Sequence, residues 1–240
     1  MIKEVINKLH SELPSTVRLV AVSKFHPFEA IEEAYSAGQR IFAESRPQEL
    51  LAKVNRLEQI RDERGEPDYM SDIQWHFIGH LQTNKLKMVL PYVSLVQSVD
   101  SVRLLDAIQN WGATNNKVIP VLLEPHVAAE ESKQGFTQEE IYSIIDKVYG
   151  GFSDTSLEQA YPNVSFCGIM GMATFTDDET LIRSDFARLR EIYDTCRSRF
   201  NTLGEEFTEL SIGMSDDYPI AIEYGSTIVR IGSMIFGQRH

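Results

Sequence analysis

Short runs of apolar, β-branched and aromatic residues alternate with helical patterns along almost the whole chain. Eight runs have the composition of buried strands, at residues 17–23, 39–43, 73–78, 93–98, 118–124, 164–170, 207–212 and 227–231. Helical spacing fills the gaps, at residues 27–37, 46–64, 82–90, 101–110, 137–148, 178–200 and 216–224. Strict strand–helix alternation predicts a parallel sheet, and eight repeats favour closure into a single (β/α)8 TIM barrel.

One extra helix is predicted ahead of the barrel, because apolar residues near the N-terminus are spaced for one helix face. The length of 240 residues suits a single barrel, and no linker rich in Pro, Gly or Ser interrupts it. The loosest stretch, 149–163, is interpreted as a long surface loop. We therefore expect one domain over residues 1–240. Helix starts are indicated by Asp100, by Thr137 with Glu140, and by Ser215.

Charge and cysteine content exclude several classes of protein. The chain has 23 Lys and Arg against 35 Asp and Glu, and its net charge of −12 argues against nucleic-acid or anionic-membrane partners. Glu4 and Lys8 interrupt the N-terminal apolar pattern, so it is neither a signal peptide nor a membrane span. Cys167 and Cys196 match no disulfide or metal-ligand spacing. We expect a cytoplasmic protein without a metal site.

Lys24 ends the first strand pattern, "RLVAVSKF" at residues 18–25. Side chains alternate along a strand, so Lys24 shares a face with Val20 and Val22. If that face is the barrel interior, its amine lies at the mouth of the site, where desolvation prepares a lysine to attack a carbonyl. Alternatively, Lys24 is a solvated residue at a strand end.

The C-terminal stretch 210–237 carries glycines and hydroxyl residues after the last two strands. In barrels of this type the loops after strands seven and eight, with a short extra helix, form a recurrent phosphate site. Taken singly, each residue is equally well explained as a turn. The candidate phosphate-binding residues are Ser211, Gly213, Ser215, Gly225, Ser226, Thr227, Gly232 and Ser233.

Arg230 lies within the last predicted strand and shares a face with Gly232. A guanidinium that faces a barrel interior needs an acceptor, either a carboxylate such as Glu209, or a ring nitrogen or anion of a ligand. His76 in "WHFIG" either lines the pocket or is a satisfied core histidine. Glu44 is either a pocket carboxylate or a helix cap.

A reactive lysine, a phosphate pocket and an inward arginine together predict a site for pyridoxal 5′-phosphate (PLP). Its aldehyde would meet Lys24, its phosphate would meet Ser211 with residues 225–227 and 232–233, and its pyridine nitrogen would meet Arg230. A permanently charged arginine disfavours protonation of that nitrogen, which suits a pocket for holding PLP or for mild chemistry.

The chain resembles the pyridoxal phosphate homeostasis protein family, which shares the barrel of alanine racemase. The resemblance is carried by "AVSK" at 21–24, "WHFIG" and "LQTNK" at 75–85, "SVDS" at 98–101, "GIM" at 168–170 and "LSIGMSDD…GSTIVRIGSMIFG" from 210. It implies that Lys24 carries PLP as an internal aldimine. It implies a binding set that also contains Ser211, Gly225, Ser226, Thr227, Arg230, Gly232, Ser233, His76, Ser45 and Met170.

Two positions depart from the family pattern. Ser45 replaces an amide side chain that the family commonly has near the cofactor, and Gln134 replaces a small residue. At position 45 the chain therefore lacks the amide that the family pattern places near the cofactor.

Three functions are compatible with these residues. The first, which the family implies, is a PLP-binding protein that supports vitamin B6 balance, supplies apo-enzymes as a monomer and has no robust turnover. The second is an amino-acid racemase. Racemisation needs an acid–base group on each face of the carbanion; the chain ends at His240 without the second domain of alanine racemases, and His76 is the alternative base. The third is a phosphosugar enzyme that uses Lys24 without PLP.

Overall fold

The structure is a computed structural model that describes residues 1–127, 135–149, 160–200 and 207–237. Its eight strands are β1 Arg18–Val22, β2 Ile41–Glu44, β3 Gln74–Phe77, β4 Val93–Val99, β5 Ile119–Leu123, β6 Val164–Met170, β7 Glu209–Ser211 and β8 Ile228–Ile231. Its helices are α1 Ile2–Glu12, α2 Phe28–Ser36, α3 Pro47–Arg64, α4 Leu86–Val89, α5 Val102–Asn115, α6 Gln138–Tyr149, α7 Glu179–Phe200, α8 Tyr218–Glu223 and α9 Ser233–Phe236.

The strands form a closed parallel barrel in chain order, β1 to β8. Closure is made by β1 and β8, which pair in parallel with Val20 opposite Arg230. All eight predicted strands and the extra helix α1 are confirmed, as is the (β/α)8 barrel.

Two apolar layers follow from the alternation of side chains along the strands. One cluster fills the barrel interior and includes Val20, Val22, Ala43, Leu122 and Met170. A larger cluster lies between the barrel and the helices and contains the intervening strand residues, such as Leu19 and Ala21. The predicted face of Lys24 is therefore the interior face of β1.

The contact between β6 and β7 requires a glycine. Gly168 has a φ of +153°, and a Cβ at this position would lie 1.8 Å from the backbone oxygen of Glu209. A side chain here would force the two strands apart, so this glycine closes the barrel next to its C-terminal strands.

Helix starts were partly mispredicted. Thr137 and Glu140 form the expected reciprocal cap, with nitrogen-to-oxygen distances of 2.8 and 3.2 Å. Helix α5 is capped by Ser101, whose hydroxyl accepts from the Leu104 N–H, and not by Asp100. Helix α8 begins at Tyr218, so Ser215 is not its cap.

Most of the predicted loop 149–163, and Gln134, lie outside the described residues. Within the described part of the chain, no helix combines the length and the apolar character needed to cross a bilayer.

Candidate functional site

A cavity of about 670 Å³ opens at the carboxyl ends of the strands. Its wall includes Val22 at the end of β1, Ile78 after β3 and Met170 at the end of β6, together with the loops after β6, β7 and β8. Barrels of this class carry their chemistry at this end. The cavity is therefore the candidate site.

Lys24 lies on the cavity wall and is partly buried. It belongs to a tight turn after β1, in which the His26 N–H donates to the Ser23 carbonyl at 3.0 Å. Phe25, the next residue, has a φ of +69°, a left-handed conformation that is costly for a side chain of this size. The structure therefore places the Lys24 amine at the mouth of the barrel, as the alternation predicts.

Arg230 lies on the cavity wall and is only 4% exposed. Its Nη1 donates to the carbonyl and hydroxyl oxygens of Ser211 at 2.6 and 2.7 Å, and its Nη2 donates to the Gly171 carbonyl at 2.9 Å. The alternative acceptor, Glu209, pairs instead with Arg18 at 2.5 Å. No ion pair among the described residues involves Arg230. A buried guanidinium is thus held by neutral oxygens.

Burial lowers the pKa of Arg230 to about 10, and the nearby carboxylates Glu124 and Asp217 oppose that shift. The guanidinium therefore stays charged at neutral pH. Its charge is available to an anion or to the lone pair of a ring nitrogen in the cavity.

A chain of hydrogen bonds runs from Arg230 into the barrel. Because arginine only donates, Ser211 Oγ accepts from it and gives its own proton to Gln97 Oε1 at 2.7 Å. Gln97 Nε2 then donates to His76 Nδ1 at 2.8 Å. This order leaves the proton of the His76 ring on Nε2.

His76 is buried and does not lie on the cavity wall. Burial lowers its pKa to about 3, and the charge of Arg18 acts in the same direction. The imidazole is therefore neutral at physiological pH and bonded within the barrel. This arrangement matches a satisfied core histidine, one of the two interpretations of the sequence.

Three of the predicted phosphate residues join β7 to β8. The Ser226 hydroxyl bonds two backbone carbonyls at 2.8 and 2.9 Å. Thr227 Oγ1 bonds the Glu209 carboxylate at 2.8 Å and accepts the Leu210 N–H at 2.9 Å. Gly225, two residues after α8, has a φ of +81°. Neither these residues nor Ser211 lie on the cavity wall, so direct contact with a ligand stays a prediction.

Gly232 and Ser233 lie on the cavity wall, at the start of α9. The first N–H groups of a helix have no partner within it, so these groups are available to an acceptor. A Cβ at position 232 would lie 3.1 Å from the Val22 carbonyl oxygen. The cavity wall is therefore formed here by the backbone at Gly232 packed closely against the backbone at Val22.

Ser45 follows β2 and lies beside Gly79, where an added Cβ would be 2.1 Å from the Ser45 carbonyl oxygen. It is partly buried and is not on the cavity wall. Six of the predicted site residues therefore meet around the cavity. They are Lys24, Met170, Ser215, Arg230, Gly232 and Ser233.

The similarity to known proteins covers nearly the whole chain. Residues 1–240 match the family model described as alanine racemase, N-terminal domain. A pyridoxal phosphate homeostasis protein of Aquifex aeolicus is 36% identical over 222 residues, which cover 92% of this chain and 87% of the relative. The human protein of the same name is 35% identical, with 99% and 82% covered.

The chain belongs to the pyridoxal phosphate homeostasis protein family. Among solved structures, PipY of Synechococcus elongatus with PLP bound has a TM-score of 0.83 and 30% identity, and the match covers 99% of this chain and 100% of PipY. Alanine racemase from E. faecalis has a TM-score of 0.67 and 18% identity, and 57% of its length is covered. That likeness shows a shared fold.

Several residues of the cavity wall were not predicted from the sequence. His26 lies on the wall and stacks on Phe236 with ring centroids 5.1 Å apart. Asp217 is buried on the wall, accepts from the Met214 N–H at 2.6 Å, and has its pKa raised by burial. His26, Asp217 and Phe236 lie in segments that follow strands β1, β7 and β8. This location after a strand is the sequence feature that could have identified them.

Glu124, directly after β5, was also missed. Its pKa is raised to about 7, chiefly by burial and also by the neighbouring Asp100, although Arg230 and His80 partly offset the shift. This carboxyl group therefore titrates near neutral pH in the folded protein.

We expect Glu124→Gln to stabilise the protein in a pH-dependent way. The unfolded chain releases this proton near pH 4.5 and the folded protein near pH 7, so ionisation opposes folding progressively between those values. The gain in unfolding free energy of the variant should grow across this window and level off above it, at about 1–2 kcal/mol for a partly exposed group. Urea denaturation at several pH values measures it.

Exposed Glu191→Gln is the control for that experiment, because it changes charge equally without burial. If Glu124→Gln increased the free energy of unfolding by the same amount at about pH 4 and about pH 8, that result would contradict the raised pKa of Glu124.

Proposed function

We propose that this chain binds PLP in the cavity, holds it through a covalent link to Lys24, and supplies it to apo-enzymes without robust turnover of its own. The observation that carries the proposal is the pairing, on one cavity wall, of the Lys24 amine with a buried Arg230 that neutral oxygens hold. The names of the relatives and the PLP bound to PipY support it.

The residues present fit this cofactor. The cavity volume lies in the range of roughly 300–1,000 Å³ that is usual for small-ligand sites. Lys24 offers an amine for an aldehyde, and Arg230 offers a charge that no described carboxylate neutralises by direct contact. The backbone at Gly232 and Ser233 offers N–H groups for a phosphate.

When bound, PLP supplies an electrophilic aldehyde and a ring that withdraws electrons most strongly once its nitrogen is protonated. Arg230 keeps its own proton at neutral pH, so it would donate to that nitrogen and disfavour its protonation. Arg230 therefore favours storage of the cofactor over carbanion chemistry.

Racemisation gains no support from His76. A second acid–base group must reach the substrate, yet this imidazole lies inside the barrel, is neutral, and has Nδ1 bonded to Gln97. We further propose that the protein acts as a cytoplasmic monomer of one domain, which is consistent with its acidic surface charge and barrel length.

The absorbance spectrum of the purified protein mixed with PLP tests the proposal. A Schiff base with lysine gives a visible yellow band at a ratio of one PLP per chain, and added apo-enzyme should remove PLP stoichiometrically. Assays with D- and L-amino acids should show no robust turnover. A protein that shows no Schiff-base band after unbound PLP is removed would contradict the proposal and favour a phosphosugar enzyme that uses Lys24 alone.

A further inference from the structure

A buried ionic cluster lies directly behind the turn that carries Lys24. Ser23 and Glu44 are fully buried and Lys53, on α3, is 7% exposed. Lys53 Nζ donates to the Ser23 carbonyl at 2.8 Å and to Glu44 Oε1 at 2.5 Å, and Ser23 Oγ donates to the same carboxylate oxygen at 2.6 Å. The residue that precedes Lys24 is therefore held at both its carbonyl and its hydroxyl.

The residue that follows Lys24 is held by the same helix. The Phe25 N–H donates to Glu49 Oε2 at 3.0 Å, and the Arg46 guanidinium lies 4.5 Å from the centre of the Phe25 ring. These contacts stabilise the left-handed backbone conformation of Phe25, which is otherwise unfavourable for a residue of this size. Helix α3 and its N-cap residue Arg46 therefore contact the turn on both sides of Lys24.

Stability alone does not account for the buried pair of Lys53 and Glu44. Taking both charges out of water is costly, and packed apolar residues in such positions are often equally or more stable. Glu44 Oε2 is moreover buried without a hydrogen-bond partner among the described residues. The specific gain is the fixed position of Ser23, because Lys53 donates to its carbonyl alongside the His26 N–H, and Glu44 accepts its hydroxyl proton.

We propose that Lys53 and Glu44 are positioning residues for Lys24: through Ser23 they hold the turn that points the amine into the cavity. This inference rests on the proposed function for its consequence in PLP binding. Its structural part, the restraint of residues 23–26, stands independently of any cofactor.

Three variants separate positioning from global stability. Lys53→Met leaves a lone buried carboxylate and should lower the denaturation midpoint. Lys53→Met combined with Glu44→Gln removes both charges and should recover most of that midpoint, while the Ser23 carbonyl still lacks the Lys53 donor. Arg56→Met, on the same helix, partly buried and paired with Glu63 at 3.6 Å, is the matched control.

Amide hydrogen exchange of the PLP-free protein and titration with PLP are the two readouts. In both Lys53 variants, exchange in residues 23–26 should quicken by about tenfold or more, and PLP affinity should fall by about tenfold, the equivalent of one hydrogen bond. The control should match the wild type in both measurements.

A doubly substituted protein with recovered stability, wild-type exchange in residues 23–26 and wild-type PLP affinity would overturn the inference. Exchange that quickens without any loss of affinity would overturn the positioning role as well. If the wild type does not bind PLP, the proposed function fails, and the exchange measurement alone decides whether the cluster restrains the turn.

Discussion

Replacing Lys24 with alanine is expected to abolish the Schiff-base absorbance band of the PLP-loaded protein while leaving its fold intact. The side chain lies at the cavity mouth and is only partly buried, so its loss removes little packing. It removes the amine that we propose bonds the aldehyde. Affinity for PLP should fall at least about a hundredfold, because only non-covalent contacts remain.

Lys24→Arg is the matched control, since it keeps the positive charge at the mouth but cannot form a Schiff base. It too should lack the Schiff-base band, although it should bind PLP more tightly than the alanine variant through charge. A Schiff-base band that survives in both variants would place the covalent link on another residue.

Replacing Arg230 with methionine is expected to lower the free energy of unfolding more than replacing Lys24 does. The change leaves the Gly171 carbonyl without its side-chain donor, takes one of two donors from the Ser211 carbonyl, which keeps the Gly171 N–H at 3.1 Å, and removes the first link of the hydrogen-bond chain toward His76. Unsatisfied buried groups cost about 1–3 kcal/mol each, so the free energy of unfolding should fall by about 2–4 kcal/mol. Denaturant unfolding measures this directly.

The same variant should bind PLP weakly even under conditions in which it is folded. Lys in place of Arg230 keeps the charge but not the fork that reaches two carbonyls, so its stability should be intermediate. Exposed Arg188→Met is the control for removal of an arginine and should be close to neutral. An Arg230→Met protein of wild-type stability would show that its hydrogen bonds contribute nothing net.

The barrel could be predicted because each strand is a short apolar run and each helix has its own spacing. Those local patterns decided the order of elements, and the parallel sheet followed from alternation. Element ends were less predictable. The strand predicted over 207–212 is limited to Glu209–Ser211, because the chain turns at Gly213 with a φ of +93°.

Site residues at strand ends were predictable from position alone, as Lys24 and Gly232 illustrate. Hydrogen-bond partners were not, because they depend on contacts distant in sequence. Ser211 bonds Gln97, which is 114 residues away, and Glu209 is taken by Arg18 from the first strand. The buried partnership of Lys53 with Glu44 crosses from a helix to a strand end and leaves no sequence signal.

Borohydride reduction of the PLP-loaded wild-type protein, followed by peptide mapping, tests most directly whether the cavity mouth holds the cofactor covalently. Reduction makes the lysine link permanent, so the modified side chain can be located by its mass. Our account predicts a single modification, on the peptide that contains Lys24. Modification of another lysine, or none at all, would contradict it.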